Sequence, residues 1–388
     1  MIKLARRMER LGTETAFDVL VRAKALEAKG KDIIHLELGE PDFDTPSNVI
    51  EAANTALMEG HTHYCASAGL TELREAIAAQ IIKNRRLDID PNWVVVTPGA
   101  KPIMFYLILA LVEEGDEVIY PNPGFPIYES MIQFAGGTPV ALPLMEELEF
   151  RFNPEHLVSR VSSKTKLIII NSPQNPTGGL LTKENLAAIA DLAIQHDVTV
   201  LSDEIYSSII YQGNHHSIAS LPHMQDRTII LDGFSKTYAM TGWRLGYGIM
   251  RPELQEHISK LVTNSVSCTA PFTQRAGLEA LAHTQNSVNH MIGEFRRRRD
   301  FIVQELNHIP GISCLSPPGA FYVFPNIKSF GKSSNEIADY LLQEAGVAAL
   351  SGTSFGVFGE GYLRLSYATS IDHLAQATRR IAAAVAKL

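Results

Sequence analysis

Cysteine is scarce in this chain. Cys65, Cys268 and Cys314 are the only three in 388 residues, widely spaced and without a CxxC pair. That usage argues against a disulfide framework and a cysteine zinc site, and it fits a reducing cytoplasm. Positive charge is also in deficit, with 34 Lys and Arg against 42 Asp and Glu and a formal net charge of −8. A nucleic-acid protein needs a net basic face to release counterions from phosphates, so that class is set aside. Long apolar runs are missing too. The longest, the run that contains MFYLILALV at 104–112, is far short of a membrane span. The opening MIKLARRMERLGTETAF carries charge where a secretory signal keeps an unbroken apolar core. Internal repeats and low-complexity linkers are absent as well.

What is present is an ordinary globular composition, 45% apolar and 20% charged. The length favours two domains. From about residue 93 to 250, short apolar runs alternate with amphipathic helical stretches: WVVVTPG, EVIYPNP, TPVALPL, KLIIINSP, VTVLSDEIY, TIILDGFSK and RLGYGIM. This alternation predicts an α/β fold, a mostly parallel sheet with helices on both faces. β-Branched and apolar residues fill the runs, as double-sided burial requires. Helical patterns around Ala16 to Lys29 and Asn48 to Met58 flank the strand-like DIIHLELG. Beyond residue 250 the helices lengthen, and AFYVFPN and YLRLSYA are the late strand candidates. The expected organisation is a large domain over 46–282 and a smaller α+β domain built from 1–45 with 283–388.

Several runs end in polar clusters: TPGAK, NSPQNPTGG, SDEIY and GFSK. Ligands of open α/β sheets bind outside the carboxyl ends of the strands, so these clusters should converge. Lys236 sits in GFSKTYAMTGWRLG, and lysine forms Schiff bases with carbonyl compounds. Pyridoxal phosphate is the cofactor that combines such a lysine with an acid facing its ring nitrogen, and Asp203 is the natural acid. Asp203 has an alternative reading as a cap for whatever follows its strand. Tyr206 and Asn175 can each donate a hydrogen bond to the ring oxygen; read alone, one is a half-buried aromatic and the other a turn residue. Arg244 suits an oxyanion, and Gly99, Ala100 and Lys101 open an apolar helix whose free amides attract a phosphate.

SDEIY, GFSKTYAMTGWRLGY, NSPQNPTGG, LGEPDFDTP, HYCASAGLTELREAIA and YLRLSYA run over nearly the whole chain. Together they resemble the class I/II aminotransferases of pyridoxal phosphate fold type I. The resemblance implies that Lys236 binds the cofactor covalently and shuttles a proton at the substrate's α-carbon. Asp203 would pair with the ring nitrogen, and Asn175 and Tyr206 would bind the ring oxygen. Arg364 would hold the substrate α-carboxylate, with the Gly39 backbone beside it. Arg244 and the Gly99-Ala100-Lys101 turn would take the phosphate, and Phe125 would stack on the ring. Tyr64 would reach the phosphate of a neighbouring subunit, which implies a homodimer with shared sites.

Two departures stand out. Position 233 is glycine where some members place a phosphate-binding serine, which leaves Ser235 as the hydroxyl candidate. Phe125 replaces a tryptophan frequent in aspartate-preferring relatives, so one hydrogen bond to a dicarboxylic substrate is lost. Lys101 points the other way, since a lysine there faces the distal carboxylate in a bacterial aspartate-type branch. The expectation is an L-amino acid and 2-oxo acid pair of aspartate/glutamate type. Aromatic, alanine or other neutral amino acids, or β-elimination by the same residues, are the alternatives. A DNA-binding regulator on this fold would need an added basic module, which is not found. The His61/His63 and His215/His216 pairs lack acidic or cysteine partners in sequence and read as exposed loop residues, so no metal is expected. The run Arg296 to Arg299 reads as a solvated or interface helix face.

Overall fold

The computed structural model describes residues 2–388. All seven apolar runs between residues 93 and 250 form strands of one sheet. Across the sheet they lie in the order Val94–Thr97, Gly246–Ile249, Thr228–Gly233, Thr199–Asp203, Thr165–Asn171, Glu117–Asn122 and Thr138–Pro143. Five run parallel from Thr228–Gly233 to the Thr138–Pro143 edge. Gly246–Ile249 is antiparallel to both of its neighbours. The reason is local: the short GFSKTYAMTGWRL connection returns the chain without the long crossover that a parallel pair demands. Gly248 in this strand is required by packing, because a Cβ there would come within 2.7 Å of Ile103.

Ile119, Ile168 and Val200 bury towards one face, and Val118, Leu167 and Leu201 towards the other. Both faces are therefore dry, and helices such as Lys101–Leu111 and Lys183–Gln195 cover them. The second helix starts from a capping box in which Thr182 and Asn185 satisfy each other's backbone amides.

The late strand candidates shrink to short pieces. Tyr322–Val323 and Leu350–Ser351 flank Leu363–Ser366 in a three-stranded antiparallel sheet. DIIHLELG contributes only Ile34–His35, paired parallel to Val347–Ala348. The helices Gln285–Asn307 and Ile371–Val385 close over this part through Phe295, Ile302, Leu374 and Ile381.

The arginine run departs from expectation. Arg296 and Arg297 are exposed, but Arg298 and Arg299 are buried. Four successive residues span more than one turn of a 3.6-residue helix, so they cannot share a face. Arg298 donates to Asp42 at 2.6 Å and lies over the Phe43 ring at 5.1 Å. Arg299 stacks on Tyr211 at 4.9 Å and donates to the Pro317 carbonyl at 3.2 Å.

Candidate active site

The polar clusters do converge. A cavity of about 580 Å³ opens beyond the carboxyl ends of the strands that finish at Asn171, Asp203 and Gly233, a volume typical of small-molecule sites. Lys236, Asp203, Tyr206, Asn175, Ser235, Arg244, Ala100, Lys101, Phe125, Gly39 and Arg364 all line it.

Lys236 reaches the cavity from the turn after the strand Thr228–Gly233, and its Nζ donates to the Gly39 carbonyl at 2.6 Å. Burial lowers its pKa to about 8; Glu40 and Glu14 oppose the shift, while Arg364 and Arg244 reinforce it. Such an amine exchanges protons near neutrality. Gly39 must approach closely, since a Cβ there would strike the Tyr322 hydroxyl.

Asp203 ends its strand buried beneath the cavity. Its Oδ2 accepts from the Tyr128 hydroxyl at 2.6 Å and its Oδ1 from the Ile205 amide at 3.2 Å. Burial pushes this carboxyl up to about 6, and the two hydrogen bonds pull it back. The bond to Ile205 caps a turn, so the capping and chemical readings of Asp203 are compatible.

Arg364 is buried from the antiparallel sheet, with its guanidinium 4.7 Å from the Tyr322 ring and 5.0 Å from the Phe355 ring. It donates to the Glu37 carbonyl and, through Nη1, to the Asn175 Oδ1 at 3.3 Å. Its Nε is buried with no partner. An orphaned donor on a buried cation is an anion site in waiting, because leaving it unmet is costly. The Tyr206 hydroxyl meets that of Tyr322 at 2.7 Å.

Gly99 has φ +89°, and a Cβ on it would collide with the Arg244 guanidinium. Arg244 itself sits at φ 53° and donates to the Thr241 carbonyl at 2.7 Å. The guanidinium therefore packs on the turn that opens the helix Lys101–Leu111, where first-turn amides have no intrahelical partner. Ser235 is buried beside them. Phe125 is half-buried, edge-on to Tyr128 at 5.7 Å, with the Lys101 ammonium 5.4 Å from its centroid. Tyr64 does not line this cavity and is 87% exposed.

Sequence reasoning missed four elements. Tyr128 stands three residues after Phe125, a spacing that puts both on one side of a helical turn, and that was its signal. Tyr322 lies within AFYVFPN, an apolar run in which it carries the one hydroxyl, and that was the hint. Glu14, ion-paired to Lys101, had none. The fourth is a network behind the site: Glu204 is fully buried and accepts from Arg85 at 3.0 Å, His215 at 2.9 Å and Ser202 at 3.0 Å. Although burial raises it, His215 and Arg85 hold the Glu204 carboxyl far below the usual range. Asp232, also on Arg85, is pushed up to about 7 by burial. His215 is thus not an exposed loop residue. Its partner is its neighbour in space but eleven positions away in sequence, where spacing rules give no warning.

Among the described residues, no group of three or more His, Cys, Asp or Glu is placed to hold a metal. No described helix is long and apolar enough to cross a membrane. The donor set does fit pyridoxal phosphate. It has a shifted lysine for the carbonyl, a buried acid for the ring nitrogen, and a guanidinium on a positive-φ glycine turn for the phosphate.

The description "Aminotransferase class I and II" matches residues 31–381. The chain is 44% identical to an aspartate aminotransferase of Pyrococcus abyssi over 90% of this chain and 91% of the relative. It is 42% identical to aromatic-amino-acid aminotransferase 2 of Thermococcus litoralis, over 90% of each. An aspartate aminotransferase from Thermus thermophilus, solved with maleate, superposes with a TM-score of 0.95 at 37% identity, covering 99% of this chain and 100% of that one. The chain therefore belongs to the class I and II aminotransferases and is a pyridoxal-phosphate-dependent enzyme of fold type I.

Proposed function

We propose that this aminotransferase exchanges amino groups between acidic L-amino acids of the aspartate/glutamate type and their 2-oxo acids, in two half-reactions of a ping-pong cycle. The observation that carries this reading is a pair of cations facing one cavity, Arg364 deep in the wall and Lys101 at the mouth. A dicarboxylate presents two anions to match. The Thermus relative was solved with maleate, itself a dicarboxylate.

Pyridoxal phosphate, when bound, supplies an electron sink for the bond broken at the substrate's α-carbon. Lys236, Asp203, Asn175, Tyr206, Ser235, Arg244, the Gly99-Ala100-Lys101 turn and Phe125 hold it in this reading. Lys236 Nζ, once free, would take the proton from the substrate's α-carbon and deliver it to the carbon two bonds away, across the nitrogen; its pKa of about 8 matches that task near neutral pH. Asp203 remains ionised opposite the ring nitrogen. Arg364 orients the α-carboxylate with Gly39 and Asn175 beside it, fixing which bond faces Nζ. The working unit is a cytoplasmic homodimer in which Tyr64, exposed on one protomer, reaches its partner's phosphate site. Each protomer divides into a large domain over 46–282 and a small one from 1–45 with 283–388.

A panel of amino donors against 2-oxoglutarate, oxaloacetate and pyruvate tests the reading. Aspartate and glutamate should give the highest kcat/KM. An aromatic donor or alanine leading by about tenfold, the low end of what a single methylene discriminates, would overturn the acidic assignment. Release of ammonia and pyruvate without an amino acceptor would mark elimination instead. A fully active monomer in sedimentation would overturn the shared-site dimer.

A further inference from the structure

Glu14 precedes the helix Thr15–Glu27 at its N-cap position, yet its side chain makes no capping hydrogen bond. It turns instead into the cavity and pairs with Lys101. The pair is not an ordinary surface bridge, because the acid is its more covered member, 18% exposed against 46% for Lys101. The chain thus places a carboxylate of its own against Lys101, the cation proposed to meet a substrate's distal carboxylate.

We propose that Glu14 is a specificity-determining residue, a tethered counter-ion that competes with the distal carboxylate of acidic substrates for Lys101. The inference rests on the acidic-substrate reading above. An enzyme with two half-reactions must admit different side chains to one cavity. With the pair closed, Lys101 is neutralised, and the cavity offers Phe17, Phe125 and Phe355 to an apolar side chain. With a dicarboxylate bound, the substrate's anion replaces Glu14, and the pair opens without leaving Lys101 bare. A tethered competitor acts at a high effective concentration, so it weakens acidic ligands while sparing neutral ones the cost of meeting an unpaired charge.

The test uses holoenzyme, with maleate as an unreactive dicarboxylate probe in calorimetry and the half-reactions of glutamate and phenylalanine in stopped flow. Glu14→Gln should tighten maleate about tenfold and raise the glutamate-to-phenylalanine ratio of kcat/KM by about the same factor. Glu14→Ala, a second way to cut the pair, should move both the same way. Lys101→Ala should weaken maleate, and adding Glu14→Gln to it should change maleate binding by less than about twofold. If Lys101→Ala weakens maleate but both Glu14 variants leave its affinity unchanged or lower, the Glu14 proposal fails by itself. The same tightening in the Lys101→Ala background would also overturn it, since Glu14 would then act through another cation. If Lys101→Ala binds maleate as wild type does, the acidic-substrate assignment of Lys101 falls, and the Glu14 proposal with it.

Discussion

The floor of the cavity and its mouth are built from similar charges under different rules. At the floor, Asp203 is held by Tyr128 and a backbone amide at the end of a central strand, and its pKa is displaced to about 6 mainly by burial. At the mouth, Lys101 is half exposed and meets an acid carried by the N-terminal segment rather than by the sheet. Floor charges are fixed by strands and shifted by desolvation, which suits chemistry. Mouth charges keep water and alternative partners within reach, which suits selection.

The contrast breaks most sharply at Lys236. On the proposed roles, Lys236→Ala takes away the covalent anchor and the proton carrier together, and kcat should fall by about 10⁴-fold or more. A variant transaminating at the wild-type rate would end the mechanistic reading. Asp203→Asn keeps the shape of the floor but takes away its charge, with an expected loss of about 10²- to 10³-fold in kcat/KM, measurable in either half-reaction.

A smaller effect is readable in stability. Burial lowers the Lys236 pKa to about 8, so the folded chain binds fewer protons than the unfolded one between there and the ordinary lysine value of about 10.4. Stability from this group is therefore present above the upper value and lost as pH falls through the lower. Without cofactor, Lys236→Met should be about 1–3 kcal/mol more stable than wild type at pH 7, and the gap should close by about pH 10.4. Denaturant melts across that range check it, and a pH-independent gap would contradict it.

The mildest change tunes the floor without dismantling it. Tyr128→Phe deletes a hydrogen bond that favours ionised Asp203, so that carboxyl should rise further and the acid limb of kcat/KM should move up by about one pH unit. An unmoved limb would show that the strand end alone sets Asp203.

Legibility in the sequence followed locality. The seven runs VVVT to GYGI were readable because strand burial on both faces leaves an apolar signature in each segment. DIIHLELG looked equally strand-like but pairs through only two residues, since its partner Val347–Ala348 is itself that short. The candidate site residues were readable because strand ends carry them in compact clusters such as SDEIY and GFSK. Tyr128 and Tyr322 were not legible as site residues, because a tyrosine's role depends on what its hydroxyl meets. Arg298, Arg299 and His215 were misread as exposed, because each finds a partner distant in the chain or in another element that composition cannot supply.

By itself, the order of motifs determined the α/β class, the aminotransferase family and the cofactor, since each of those rests on residues close together in the chain. Tertiary structure alone decided that Tyr128 would hold Asp203, that Arg85 and His215 would converge on Glu204, and that Glu14 would close on Lys101. Those pairs are separated by 75, 119, 11 and 87 positions. Contacts across such separations come from packing of elements against one another, and packing leaves no periodic trace in the segments it joins.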